Sequence, residues 1–224
     1  MTDTSWADVD NYLAEHLIPA DPVLDAAQAA IVDSGLPPIS VSPMQGKFLH
    51  LLARIRGAQH ILEIGTLGAY STIWMARALP VGGRLITLEM DPKHAAVARS
   101  NIANAGLSEV VDVRLGRAQD LLPPLKAEGA GPFDLIFIDA DKQSIPEYFD
   151  WALRLSRRGT IIIVDNVIRA GAVADASTTD TAVLGVRRFN EMVSREPRVS
   201  ATALQTVGSK GYDGFALVLV VDDA

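Results

Sequence analysis

From Gly57 onward the chain alternates short apolar runs with amphipathic segments, and this rhythm restricts its fold more than any other feature. The apolar runs are 60–64, 84–88, 110–115, 133–138 and 160–164. Between them lie 70–79, 92–105, 118–126 and 145–156, whose apolar residues recur at helical spacing. Strands that are apolar on both faces, each followed by a helix, build a parallel sheet covered on both sides with right-handed crossovers. The rhythm changes after a helix at 181–195. Runs 199–207 and 214–221, joined by the turn-rich link 208–213, then read as an antiparallel hairpin.

Ahead of the sheet, 6–17, 22–34 and 43–56 read as helices. Asp21-Pro22 and Ser42-Pro43 supply a capping side chain followed by a first-turn proline. The expected fold is therefore α/β: a doubly wound, seven-stranded, mostly parallel sheet that ends in an antiparallel hairpin. Residues 1–224 form one domain in this reading, with 1–57 as N-terminal helices packing on it. A chain of 224 residues, 49% hydrophobic and 21% charged, supports one well-cored unit and excludes a disordered chain.

The composition also excludes several kinds of chemistry. There is no cysteine, hence no disulfide, thiolate metal site, cysteine nucleophile or iron–sulfur cluster. The net charge is −7 and no basic run exceeds two residues, which argues against nucleic acid as a partner. The start of the chain is polar and acidic, without a signal segment. No apolar stretch approaches the roughly 20 residues that span a bilayer. A soluble, cytoplasmic protein with no membrane partner is expected.

Three groups of residues carry chemistry. The first is Glu63-Ile64-Gly65-Thr66-Leu67-Gly68-Ala69-Tyr70-Ser71, a strand end opening into a helix. Its glycines permit a tight turn and close approach of a ligand. The dinucleotide fingerprint needs a further glycine where Glu63 stands. A carboxylate there repels a pyrophosphate and suits a cationic, ribose-bearing ligand. The second is Glu89, at the end of the next strand, where an α/β fold holds ribose hydroxyls about 20 residues past the glycines.

The third group is Asp139-Ala140-Asp141-Lys142 after one strand and Asp165-Asn166 after the next. Ligands in open α/β sheets bind beyond the carboxyl ends of strands, so Asp139, Asp165 and Asn166 converge there. Oxygen-only donors favour a hard divalent cation, magnesium first and manganese or calcium next. Lys142 falls beside this cluster, and a lysine near a cation can act as a base. Asp141 reads as a helix cap. Trp74 and Trp151 read as packing residues, with the adenine face a second reading for Trp151. Arg187-Arg188 reads as a solvated helix face.

Taken in order, these segments resemble the cation-dependent O-methyltransferases, the caffeoyl-CoA and catechol O-methyltransferase-like enzymes that use S-adenosylmethionine. The resemblance rests on Glu63-Ile64-Gly65-Thr66, Tyr70-Ser71-Thr72, Phe137-Ile138-Asp139-Ala140-Asp141-Lys142 and Val164-Asp165-Asn166. Val41-Ser42-Pro43, Gln45 to Leu49, Gly116-Arg117-Ala118 and Asp213-Gly214 extend it over nearly the whole chain. It implies a Rossmann-like methyltransferase fold with Val41, Glu63, Gly65, Thr66, Ser71, Glu89, Ala118 and Asp139 around the cofactor. It implies Asp139, Asp165 and Asn166 around the metal, with Lys142 the base and Asp139 its neighbour. It also implies an aromatic vicinal diol as acceptor and a homodimer. Two positions depart from the pattern: Ile145 stands where the family often has tyrosine and Arg169 where it often has tryptophan, both beside the expected acceptor pocket. Arg169 could pair with an acidic acceptor. A nicotinamide-dependent oxidoreductase, a metal-dependent hydrolase and a non-catalytic S-adenosylmethionine-binding protein are the competing readings.

Overall fold

The computed structural model describes residues 3–223. Helices α1 (Asp3–Leu17), α2 (Pro22–Asp33) and α3 (Pro43–Arg56) come first. Then follow β1 (His60–Ile64), α4 (Tyr70–Ala76), β2 (Arg84–Glu89), α5 (Pro92–Asn104), β3 (Val111–Leu115) and α6 (Ala118–Ala127). The chain continues through β4 (Leu135–Ile138), α7 (Ile145–Arg154), β5 (Ile161–Asp165), α8 (Thr181–Arg195), β6 (Val199–Gly208) and β7 (Gly211–Val220). The strands form a single seven-stranded sheet in the order β3-β2-β1-β4-β5-β7-β6. Only β7 runs against its neighbours β5 and β6; the other pairings are parallel.

Local chemistry explains where the helices start. Asp21 accepts the main-chain N–H groups of Val23 and Leu24, Ser42 that of Gln45, and Asp91 those of Lys93 and His94. Each cap is followed by a proline whose missing N–H costs nothing in the first turn. Gly57 ends α3 in the left-handed conformation, with φ 64°.

The central strands are buried on both faces; every residue of β4 is inaccessible to solvent. On one face Ile61, Leu85, Leu135 and Phe137 share a core with Leu24, Ile31 and Leu49 from α2 and α3, and with Ile73 and Ile102 from α4 and α5. On the other, Leu62, Ile136, Ile138 and Val164 meet Leu122, Phe149 and Phe189 of α6, α7 and α8. The N-terminal helices thus complete one of the two hydrophobic layers. Among the described residues no helix is long and apolar enough to cross a membrane.

The hairpin differs from the expected six-residue link. Pairing continues to Gly208 opposite Gly211, so the turn is only Ser209-Lys210 and β7 starts at Gly211. Gly211, at φ 88°, lets the chain reverse this tightly. Asp10 of α1 accepts the Ser209 N–H at 2.8 Å, a long-range contact invisible in the local sequence.

Candidate functional site

The strand order reverses between β1 and β4, and at such a switch point the loops after neighbouring strands part to leave a cleft. A cavity of about 1250 Å³ lies there. Of the residues singled out from the sequence, Val41, Gly65, Thr66, Ser71, Glu89, Ala118, Asp139, Lys142, Asp165 and Asn166 all line it.

Glu63 is different. It is fully buried, it does not line the cavity, and it lies under the glycine turn. Its carboxylate accepts Ser71 Oγ at 2.6 Å, Thr87 Oγ1 at 2.7 Å and Thr72 Oγ1. Glu63 therefore shapes the cavity through Ser71 rather than by facing it. Burial pushes its carboxyl up to about 7, with the negative charge of Asp139 adding to the shift and the three hydroxyls opposing it. The proton is then held more tightly in the folded chain than in the unfolded one. Glu63 thus makes the protein lose stability as pH rises from about 4.5 to about 7. Glu63→Gln is expected to flatten the fall of Tm with pH across that window. Thermal scans of the two proteins giving the same slope would contradict it.

Glu89 is tied on both oxygens. One accepts the N–H groups of Thr66 and Leu67, at 3.2 and 2.8 Å, and the other accepts the Asp91 N–H at 2.9 Å. His94, one turn into α5, brings Nδ1 to 3.6 Å of the second oxygen. The carboxylate is locked at the rim of the cavity by the turn it helps to shape. The sequence reading missed His94, which also lines the cavity.

Gly65 has φ 98°, and a Cβ there would stand 2.1 Å from the main-chain oxygen of Asp139. The Asp139 N–H donates to the Ile64 oxygen at 2.9 Å, so the two loops are stitched together where only glycine fits. Asp139 accepts Lys142 Nζ at 2.7 Å. Asp165 accepts Gln45 Nε2 at 2.8 Å and its neighbour's N–H at 2.9 Å. Burial raises the Asp165 carboxyl to about 7; the Asp139 charge pushes the same way, and Lys142 pulls against both. Asn166 holds φ 59°, a left-handed conformation that asparagine tolerates better than most residues. Asp139, Asp165 and Asn166 thus line one cavity, where the two carboxylates carry more negative charge than one lysine offsets. Among the described residues no group of three or more His, Cys, Asp or Glu side chains is spaced for a metal ion, and this cluster has only two such members.

Several expectations need correction. Asp141 holds the N-cap position of a 3₁₀ turn, but its side chain caps no main-chain N–H; its carboxylate accepts the hydroxyl of Tyr148, whose ring is buried. A 3₁₀ turn at Lys142–Ser144 precedes α7, and Tyr148 lies in the first turn of that helix. Arg187 is not a free surface charge: its Nη1 donates to the Val173 oxygen at 2.7 Å. Ile145 is fully buried and does not line the cavity, whereas Arg169 does. Trp151 packs under Arg154, whose guanidinium lies 5.1 Å from its ring, away from the cavity. Trp74 is buried in the core as expected. Asp213, read only as part of the hairpin, anchors the loop after β5: one oxygen accepts the N–H groups of Ile168, Arg169 and Gly214.

A cleft at the strand-order switch, glycine at the turn after β1 and acids at the ends of β2, β4 and β5 define the plan of a Rossmann-like methyltransferase sheet. The O-methyltransferase family model matches residues 15–220, and the chain belongs to that family. It is 58% identical to a catechol O-methyltransferase of Niastella koreensis over 98% of this chain and 100% of the relative. It is 52% identical to a catechol O-methyltransferase of Mycobacterium tuberculosis, with 95% of each chain covered. The structure of an O-methyltransferase from Bacillus cereus in complex with SAH superposes with a TM-score of 0.97 at 56% identity, covering 98% of this chain and 100% of that one.

Proposed function

We propose that this protein moves the methyl group of S-adenosylmethionine to one hydroxyl of an aromatic vicinal diol, with a divalent cation held by Asp139, Asp165 and Asn166. The observation that carries this reading is the pair of carboxylates at one end of the cofactor-sized cavity, where burial and mutual repulsion hold Asp165 at about 7. A dication relieves that repulsion, and the all-oxygen donor set suits magnesium before manganese or calcium. The SAH-bound relative and the catechol-methylating relatives support the same donor and acceptor.

The cofactor fits the other part of the cavity. Gly65 lets the backbone come close, Glu89 faces the ribose hydroxyls, and Ser71, braced by Glu63, faces the methionine portion with Thr66 and Val41. Ala118, at the first turn of α6, offers main chain to the adenine. S-adenosylmethionine supplies an electrophilic methyl, and a bound dication supplies positive charge that favours the deprotonated hydroxyl. The remaining work belongs to the chain. A phenolic hydroxyl has a pKa near 10 and must lose its proton. Lys142 Nζ, which donates to Asp139, stands at the cavity wall, and once its own proton has passed to solvent its free amine would accept the phenolic one. Gln45 holds the Asp165 carboxylate in orientation, and the buried walls keep acceptor oxygen and methyl aligned.

The test is methyl transfer from S-adenosylmethionine to catechol, with magnesium and then with excess chelator. Transfer that falls by about 100-fold or more with chelator and returns with magnesium is expected for a role worth several kcal/mol. Transfer indifferent to chelator would remove the metal from the reading, and turnover of catechol without the sulfonium donor would remove the methyl transfer.

A further inference from the structure

At the hairpin end of the cavity, beyond Asp165 in the strand order, the wall carries two cations, Arg169 and Lys210. The opposite end is the Glu89–Ala118 side. Lys210 Nζ donates to the Pro38 oxygen at 3.1 Å, which leaves it two further N–H groups. Arg169 is more constrained. Its φ is 55° and that of Ala170 is 53°, two successive left-handed residues without glycine. Asp213 holds the Arg169 N–H at 2.9 Å, and Arg187 holds the end of the same segment through Val173. The loop is thus fastened from two sides in a conformation the chain would not choose by itself.

Among the described residues the side chain presented in this way has no partner. Arg169 Nε is buried and makes no hydrogen bond. The chain contains 27 acidic residues, yet among the described residues none brings a carboxylate within 4 Å of this guanidinium. Burying a donor without an acceptor is costly, and the cost is relieved if a ligand brings the acceptor. A guanidinium presents a planar fork that matches a carboxylate.

We infer that Arg169 anchors a carboxylate on the acceptor, so that the preferred substrate is an aromatic diol bearing an acidic group at the side opposite its hydroxyls. This rests on the acceptor reading above and extends it to a substrate class. The diol faces Asp139, Asp165 and Asn166 while the acid meets Arg169, with Lys210 adding positive field.

The experiment compares 3,4-dihydroxybenzoate with its neutral amide as methyl acceptors, using the full chain, S-adenosylmethionine and magnesium. The readout is the ratio of kcat/KM for acid over amide in the wild type, Arg169→Gln and Arg169→Lys. A charge-assisted bond of ordinary strength gives a ratio that falls about 30-fold in Arg169→Gln, carried by KM, and by less in Arg169→Lys. A ratio within about 2-fold of the wild type in both variants, against that expected loss, overturns the proposal. Should the wild type methylate neither compound, the acceptor reading fails. Calorimetric binding of 3,4-dihydroxybenzoate then still reads the subsite: a Kd weakened about 30-fold by Arg169→Gln upholds it, and an equal Kd overturns it.

Discussion

Asp165→Asn is expected to lower kcat/KM about 1000-fold and yet leave the Tm of the metal-free protein at pH 8 unchanged or raised. The two halves of this result come from the same observation. Asp165 is 5% exposed and faces the charge of Asp139, so its ionised form is disfavoured in the fold. Folding alone gains little from that charge at pH 8, above the raised value of about 7. Sign matters here: a carboxyl raised by folding withdraws stability as pH climbs to that value, and asparagine removes the penalty. Function, by contrast, needs the anionic oxygen as a hard ligand. Steady-state kinetics with catechol and thermal scans in chelator measure the two halves. A substitution that costs stability and spares activity would show that Asp165 is a structural acid.

The second large effect is at Gly65. Gly65→Ala is expected to destabilise the protein by about 3 kcal/mol and to lower Tm by roughly 6–12 °C. The new Cβ would meet the Asp139 main-chain oxygen at 2.1 Å, and φ is 98°, outside the range that side chains favour. The obstacle is backbone, so no rotamer can yield; the β1 and β4 loops must separate. That separation moves the cofactor loop and Asp139 together, so affinity for SAH should fall along with Tm. Differential scanning calorimetry and SAH titration check it. A variant with native Tm and native affinity would mean that the two loops are not coupled here.

The sheet was readable because its strands are buried on both faces, and a run such as Leu135–Ile138 can be little else between two helical segments. Caps were readable for a similar reason: Asp21 and Ser42 act on backbone within three residues. The residues that the strand ends deliver to the cavity follow from topology, since a parallel strand places whatever follows it at the same edge. Contacts made across the fold were not readable. Nothing near Asp213 in the chain marks it as the anchor of a loop more than 40 residues earlier. Nor does the sequence around Arg187 show its bond to Val173. Glu63 was placed at the right turn but read as facing the cofactor, because its burial against Thr72 of α4 and Thr87 of β2 depends on how those elements pack beside β1. Asp141 stands at the cap position, but its side chain bonds Tyr148, seven residues on, instead of the main chain.

The most direct measurement is an anomalous difference map from crystals grown with SAH and manganese. The expected result is one peak in contact with oxygens of Asp139, Asp165 and Asn166, absent in Asp165→Asn. A peak elsewhere in the cavity, or none at manganese levels that support methyl transfer, would contradict the proposed site.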